Sequence, residues 1–213
     1  MCTDFSSYGR KAAAASVSLP FPLKIKEDFI DCLNNWEGPL VQSVTPNCQI
    51  ENDKSLQLVV LRGVPESRLK RPPQVATTQR DMPAYRCDSL KEMLSYFMAC
   101  TCYGTKTEVT VCKEQMPVKT PFPKFFDKRV GKTGDVDLSS SGDGDVESVN
   151  VLAGLHNGKF VGNMFEVLSK ELEKIKYKRF HQFVNEGIEN DQFKECFDHI
   201  LDLKDCYEDN YLI

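Results

Sequence analysis

The sequence predicts an α+β fold, with a small mixed N-terminal helix and antiparallel-sheet unit followed by a C-terminal helical bundle. Three observations carry this. Residues 55–62 and 105–112 follow strand patterns on either side of a helical stripe at 90–98. Residues beyond 147 repeat apolar side chains at spacings of three and four. Between these parts, residues 116–146 hold Pro117, Pro121 and Pro123 and a Ser/Gly/Asp-rich tract, which breaks any regular element. The implied organisation is a disordered arm over 1–20, an α+β domain over 21–115, a linker over 116–146 and an α-helical domain over 147–213.

The arm is Ser/Ala-rich and has little to bury. Met1 to Lys11 and the alanines after it lack the apolar stretch of about 7–15 residues that a secretory signal needs. From Pro22 the character changes. Phe29, Ile30 and Leu33 share one helical face, Trp36 extends it as a core anchor, and Gly38-Pro39 stops it. Leu40 to Val44 reads as a short strand and Gln49 to Glu51 as a weaker one. Asn52-Asp53-Lys54 makes a turn. Ser55 to Arg62 is the strongest strand in the chain: it alternates, then becomes apolar, as a strand covered on both faces does.

Residues 65–86 form a long connection with Pro72-Pro73 and the basic residues Arg68, Lys70 and Arg71. Ser89 is placed to cap a helix, with Glu92 three residues on as in a capping box. Leu90, Met93, Leu94, Phe97 and Met98 are its apolar face, and Gly104 is its left-handed stop. Thr105 to Cys112 alternates as a strand. Past the linker, Ser148, Val149, Leu152 and Ala153 fit a short helix, and His156-Asn157-Gly158 a turn. Val161, Met164, Phe165, Leu168, Leu172 and Ile175 predict a long helix. Phe180, Phe183, Val184 and Ile188 predict another. A last one starts at Asn190-Asp191 and carries Phe193, Phe197, Ile200 and Leu201.

Composition narrows the function. The 213 residues are 41% hydrophobic and 27% charged, within the globular range, which excludes collagen, coiled coil and wholesale disorder. No apolar run approaches the about 20 residues of a membrane-spanning helix. The net charge of −4 opposes a generally basic nucleic-acid binder. Nine cysteines is an odd number. Cys32 and Cys196 fall in helical patterns and Cys112 in a strand pattern, as small buried hydrophobes do in a reducing compartment. The expected location is cytoplasmic, nuclear or both.

Catalytic and cofactor motifs fail at required positions. Gly131-Lys132-Thr133 lacks the earlier glycine of a phosphate loop, because Phe126 stands there. Asp137 to Asp145 imitates a calcium loop but reaches Ser148 where a bidentate Glu belongs. Ser140, with Asp143 three residues on, suits an acid-directed kinase, so the chain is expected to be a phosphoprotein. Cys100 and Cys102 are one residue too close for a zinc pair, so they read with Cys87 and Cys112 as structural thiols. His156, His181 and His199 accompany no nucleophile motif, and Cys196 with His199 reads as core packing. No catalytic residue, cofactor or metal is expected.

What remains are sticky segments. Phe122, Phe125 and Phe126 lie in a proline-containing loop, and Tyr207, Tyr211 and Leu212 lie near the acidic C-terminus. These are the expected partner-binding residues of a non-catalytic intracellular adaptor or complex subunit, which binds other proteins through helical and loop surfaces. The alternative is a nucleic-acid-binding subunit that uses Lys174, Lys176, Lys178 and Arg179 together with Arg68, Lys70 and Arg71. A second alternative is an enzyme whose site assembles only in space.

Overall fold

The computed structural model describes residues 10–34, 42–69, 83–118, 125–137, 139, 145–176, 179, 181–187 and 189–208, with the side chains of 34, 83, 84, 183 and 184 left aside. Trp36, Ser140 and most of the Ser/Gly/Asp tract lie outside them. The strands are β1 (Ala14–Ser18), β2 (Gln42–Ser43), β3 (Lys54–Arg62), β4 (Lys106–Cys112), β5 (Met116–Pro117), β6 (Ser148–Val149) and β7 (Val151–Gly158). The helices are α1 (Phe29–Asn34), α2 (Leu90–Thr101), α3 (Phe160–Glu173), α4 (His181–Asn185) and α5 (Asn190–Glu208). The fold is α+β.

Five strands form one sheet in the order β2-β1-β7-β3-β4. The sheet is mixed, not antiparallel as expected. β3 and β4 run parallel because α2 carries the chain back between them, whereas the β1–β2, β1–β7 and β3–β7 pairs are antiparallel.

The largest difference from the sequence reading is β7. Residues 151–158 were expected to be a helix end and a turn, yet they form a central strand paired with both β1 and β3. Its two faces are both apolar at its centre, Leu152 on the first and Ala153 and Leu155 on the second, so the sequence lacks the polar alternation that marks a half-exposed strand. The sheet therefore draws strands from both sides of residues 116–146. Part of that expected linker is built into the structure: β5 pairs with β6, and Val130 bridges Val136. The expected arm also contributes, since β1 includes Ala14 and Ser16, both at most 3% exposed. Residues 1–9 lie outside the described residues.

Strand alternation and register divide the sheet into two faces. Gln57, Val59, Leu61, Val109, Leu152, Gly154, His156, Ala14 and Ser16 lie on the first. The helices α1 and α2 cover it through Phe29, Ile30, Leu33, Leu90, Met93, Leu94 and Met98. Leu61, Leu90, Leu94 and Leu152 are fully buried, and each such side chain contributes roughly 1.5–3 kcal/mol. A second cluster joins Ala14 and Cys48 to α3 and α5 through Phe160, Val161, Phe165 and Tyr207. A third packs Val130, Val146, Val149 and Val151 against Val17 and Ala153 of the second face.

α2 forms as its sequence predicts. Glu92 N–H donates to Ser89 Oγ at 3.1 Å, and Glu92 Oε2 accepts the Asp88 N–H at 2.8 Å. Past its end, Gly104 adopts φ +81°, a conformation that L side chains resist.

Candidate functional site

Three features of the sheet hold the chemistry. The first is a polar row within the first face. Gln57 pairs with Thr107 on β4 and with His156 on β7. Gln57 Nε2 donates to Thr107 Oγ1 at 2.9 Å, and Ser16 Oγ and His156 Nε2 share a hydrogen bond of 2.6 Å. Ser16, Gln57 and His156 are at most 3% exposed. Gly154 makes this arrangement fit: a Cβ there would stand 2.6 Å from His156 Nε2.

Burial, with a smaller contribution from nearby Lys54, holds the His156 imidazole down at about 4. It is therefore neutral at pH 7 and a weak base there. A serine beside a histidine is half of a nucleophilic triad, but His156 Nδ1 meets no orienting partner among the described residues. At the rim, Lys54 Nζ donates to Cys102 Sγ at 3.5 Å.

The second feature is a clasp around Asn157. Its Nδ2 donates to Ala12 O at 2.7 Å and to Tyr207 Oη at 2.9 Å, and its Oδ1 accepts from Ser55 Oγ at 3.0 Å. Tyr207 Oη donates to Ala12 O at 2.7 Å and accepts the Ala12 N–H at 3.0 Å. Arg10 Nε donates to Cys206 O at 3.1 Å, and its guanidinium sits 5.7 Å from the Tyr207 ring centre. Burial raises the Tyr207 hydroxyl above its ordinary value.

The third feature is the second face. One row reads Val44, just past β2, then Ala15, Leu155 and Leu58 on three strands, with Leu56 and Val60 on the adjoining rows of β3. None of the six is fully buried, and none belongs to the three core clusters. Val44 is 56% exposed and Val60 38%. Exposed Lys106, Glu108 and Thr110 of β4 form a polar rim beside them.

No protein-family model matches the chain. It is similar to protein misato of Drosophila melanogaster, with 29% identity over 215 residues, which cover 98% of this chain and 37% of that protein. It is also similar to protein misato homolog 1 of Pongo pygmaeus (25% over 204 residues) and of Homo sapiens (24% over 203 residues). Each of these alignments covers 94% of this chain and 35% of the relative. The chain thus spans about a third of the length of the curated relatives it matches.

The residues singled out in the sequence scatter. Phe125 is 54% exposed, and its ring stacks at 4.3 Å on Phe126, which is half-buried against the third cluster. Tyr207, expected on a docking peptide, is instead 2% exposed and belongs to the core. Phe122, Tyr211, Leu212, Lys70, Arg71 and Lys178 lie outside the described residues. Arg68 is half-buried and donates through Nη2 to the Lys24 carbonyl at 2.5 Å. Lys174 pairs with Glu171 at 2.7 Å, and Lys176 and Arg179 are exposed.

Cys32 is buried, and desolvation followed by Glu27 pushes its thiol up to about 12. Cys112 and Cys196, expected in the interior, are exposed, as is His199. Among the described residues, no three His, Cys, Asp or Glu side chains gather as metal ligands. No helix among them is long and apolar enough to cross a membrane.

The polar row and the second face were missed in the sequence because their members are far apart along the chain. One signal was present: Gln57 interrupts the apolar run of β3 with a polar residue.

Proposed function

We propose that this chain is a non-catalytic protein-binding module of the cytoplasm or nucleus, which works as part of a larger assembly. The observation that carries this reading is the apolar second face. A strand row of Val44, Ala15, Leu155 and Leu58 outside every core cluster is the kind of surface that another polypeptide covers. The occupant proposed is the additional polypeptide of proteins like the relatives, in which a segment matching this chain makes up about a third of the length. It would present an aliphatic helix to the face, with polar residues meeting Lys106 and Glu108. Free thiols at Cys32, Cys48, Cys100, Cys102, Cys112, Cys196 and Cys206 support a reducing compartment. Their surroundings differ widely, but none of these seven is in a disulfide.

The test places this chain in the matched segment of the Drosophila relative and puts a photo-cross-linking residue at Val60 or, as a control, at Asp198 on the exposed side of α5. Cross-links from position 60 to the remainder of the polypeptide, absent from position 198 and lost with Leu58→Asp, are expected. Equal cross-linking from both positions, or none from position 60, would overturn the proposal.

A further inference from the structure

Gln57 and His156 are directly opposite on β3 and β7, and they are 0% and 2% exposed. Each spends one polar atom on the neighbouring strand at its other side: Gln57 on Thr107 of β4, His156 on Ser16 of β1. The other polar atom of each, Gln57 Oε1 and His156 Nδ1, is buried with no hydrogen-bond partner among the described residues. One such atom costs on the order of 1–3 kcal/mol, so two on neighbouring residues of one face call for a shared remedy. Exchanging the amide O and N of Gln57 offers none, because the Thr107 hydroxyl can serve either atom and the other still points into the interior.

We infer that Gln57 Oε1 and His156 Nδ1 together bind one small hydrogen-bonding guest, a water molecule, which ties β3 to β7 inside the sheet's first face. Side chains directly opposite on antiparallel strands have Cβ atoms about 4.5–5.5 Å apart, a gap that one bridging molecule spans. Water suits both histidine tautomers. It donates one proton to the carbonyl oxygen of Gln57, then either donates the other to a bare Nδ1 or accepts from a protonated one. Buried waters of this kind occur roughly once per 27 residues and remain because removal strands their partners.

A high-resolution crystal structure of the full chain and water-to-protein NOE spectra of the same chain test this. The expected result is an ordered density peak within hydrogen-bonding distance of both atoms, with a persistent NOE from water to the His156 ring. In Gln57→Met the peak and the NOE are expected to disappear while the Ser16–His156 contact stays. A direct Gln57–His156 hydrogen bond, or wild-type density with no peak between them, would overturn the inference. The wild-type result decides the matter even if the variant does not fold.

Discussion

The Tyr207 hydroxyl and the Ala12 carbonyl are 2.7 Å apart, although 195 residues separate them in sequence. That contact, together with the donations from Ala12 N–H and Asn157 Nδ2, fastens α5 to the segment leading into β1. Tyr207→Phe keeps the ring against Phe165 but removes the oxygen that accepts the Ala12 N–H, while Asn157 Nδ2 keeps its bond to the Ala12 carbonyl. The expected loss is about 1–3 kcal/mol, read as a lower Tm and as faster amide exchange at Ala12. Unchanged exchange at Ala12 would show that the clasp contributes nothing.

His156 makes stability pH-dependent. Its ordinary value is 6.5 and its folded value about 4, so folding favours the neutral ring. The contribution is complete above pH 6.5 and disappears as pH falls from there towards 4, where the unfolded chain takes up the proton first. The full amount is about 3 kcal/mol, of which about 2 kcal/mol is gone at pH 5. Urea unfolding at pH 7.5 and pH 5 should show this drop in the wild type and a smaller one in His156→Gln.

Gly154→Ala should be among the most damaging small changes in the sheet. The added methyl would stand 2.6 Å from His156 Nε2 and 3.2 Å from Ser16 Oγ. Overpacking of this kind costs roughly 1–3 kcal/mol, and here it also dislodges a buried hydrogen bond. Calorimetry of the variant alone, then combined with Ser16→Ala, should show non-additive losses because both act on the same imidazole.

Ser89→Ala removes the side-chain acceptor for the Glu92 N–H at the start of α2. A loss of about 1 kcal/mol is expected, recovered in large part by Ser89→Asp. Denaturant midpoints for the two variants provide the check.

α2 was readable in the sequence because its determinants are local: Ser89 and Glu92 at one end, Gly104 past the other, and Leu90, Met93, Leu94 and Met98 between. Lys54–Arg62 was readable for the same reason. Val151–Gly158 was not. Val149, Leu152 and Ala153 imitate helical spacing, and Ala153 and Leu155 on the second face are as apolar as Leu152 on the first, so no polar residue marks the period. The polar row and the apolar face depend on register. Ser16, Gln57, Thr107 and His156 become neighbours only once four strands have paired, and so do Val44, Ala15, Leu155 and Leu58.

β7 lies between β1 and β3 but is synthesised after both. A nascent chain emerging from the ribosome therefore holds two strands whose common neighbour does not yet exist, each with an unsatisfied edge. Sheet closure must wait for Gly158, and until then the open edges are exposed to a holdase or to mispairing with a second nascent chain.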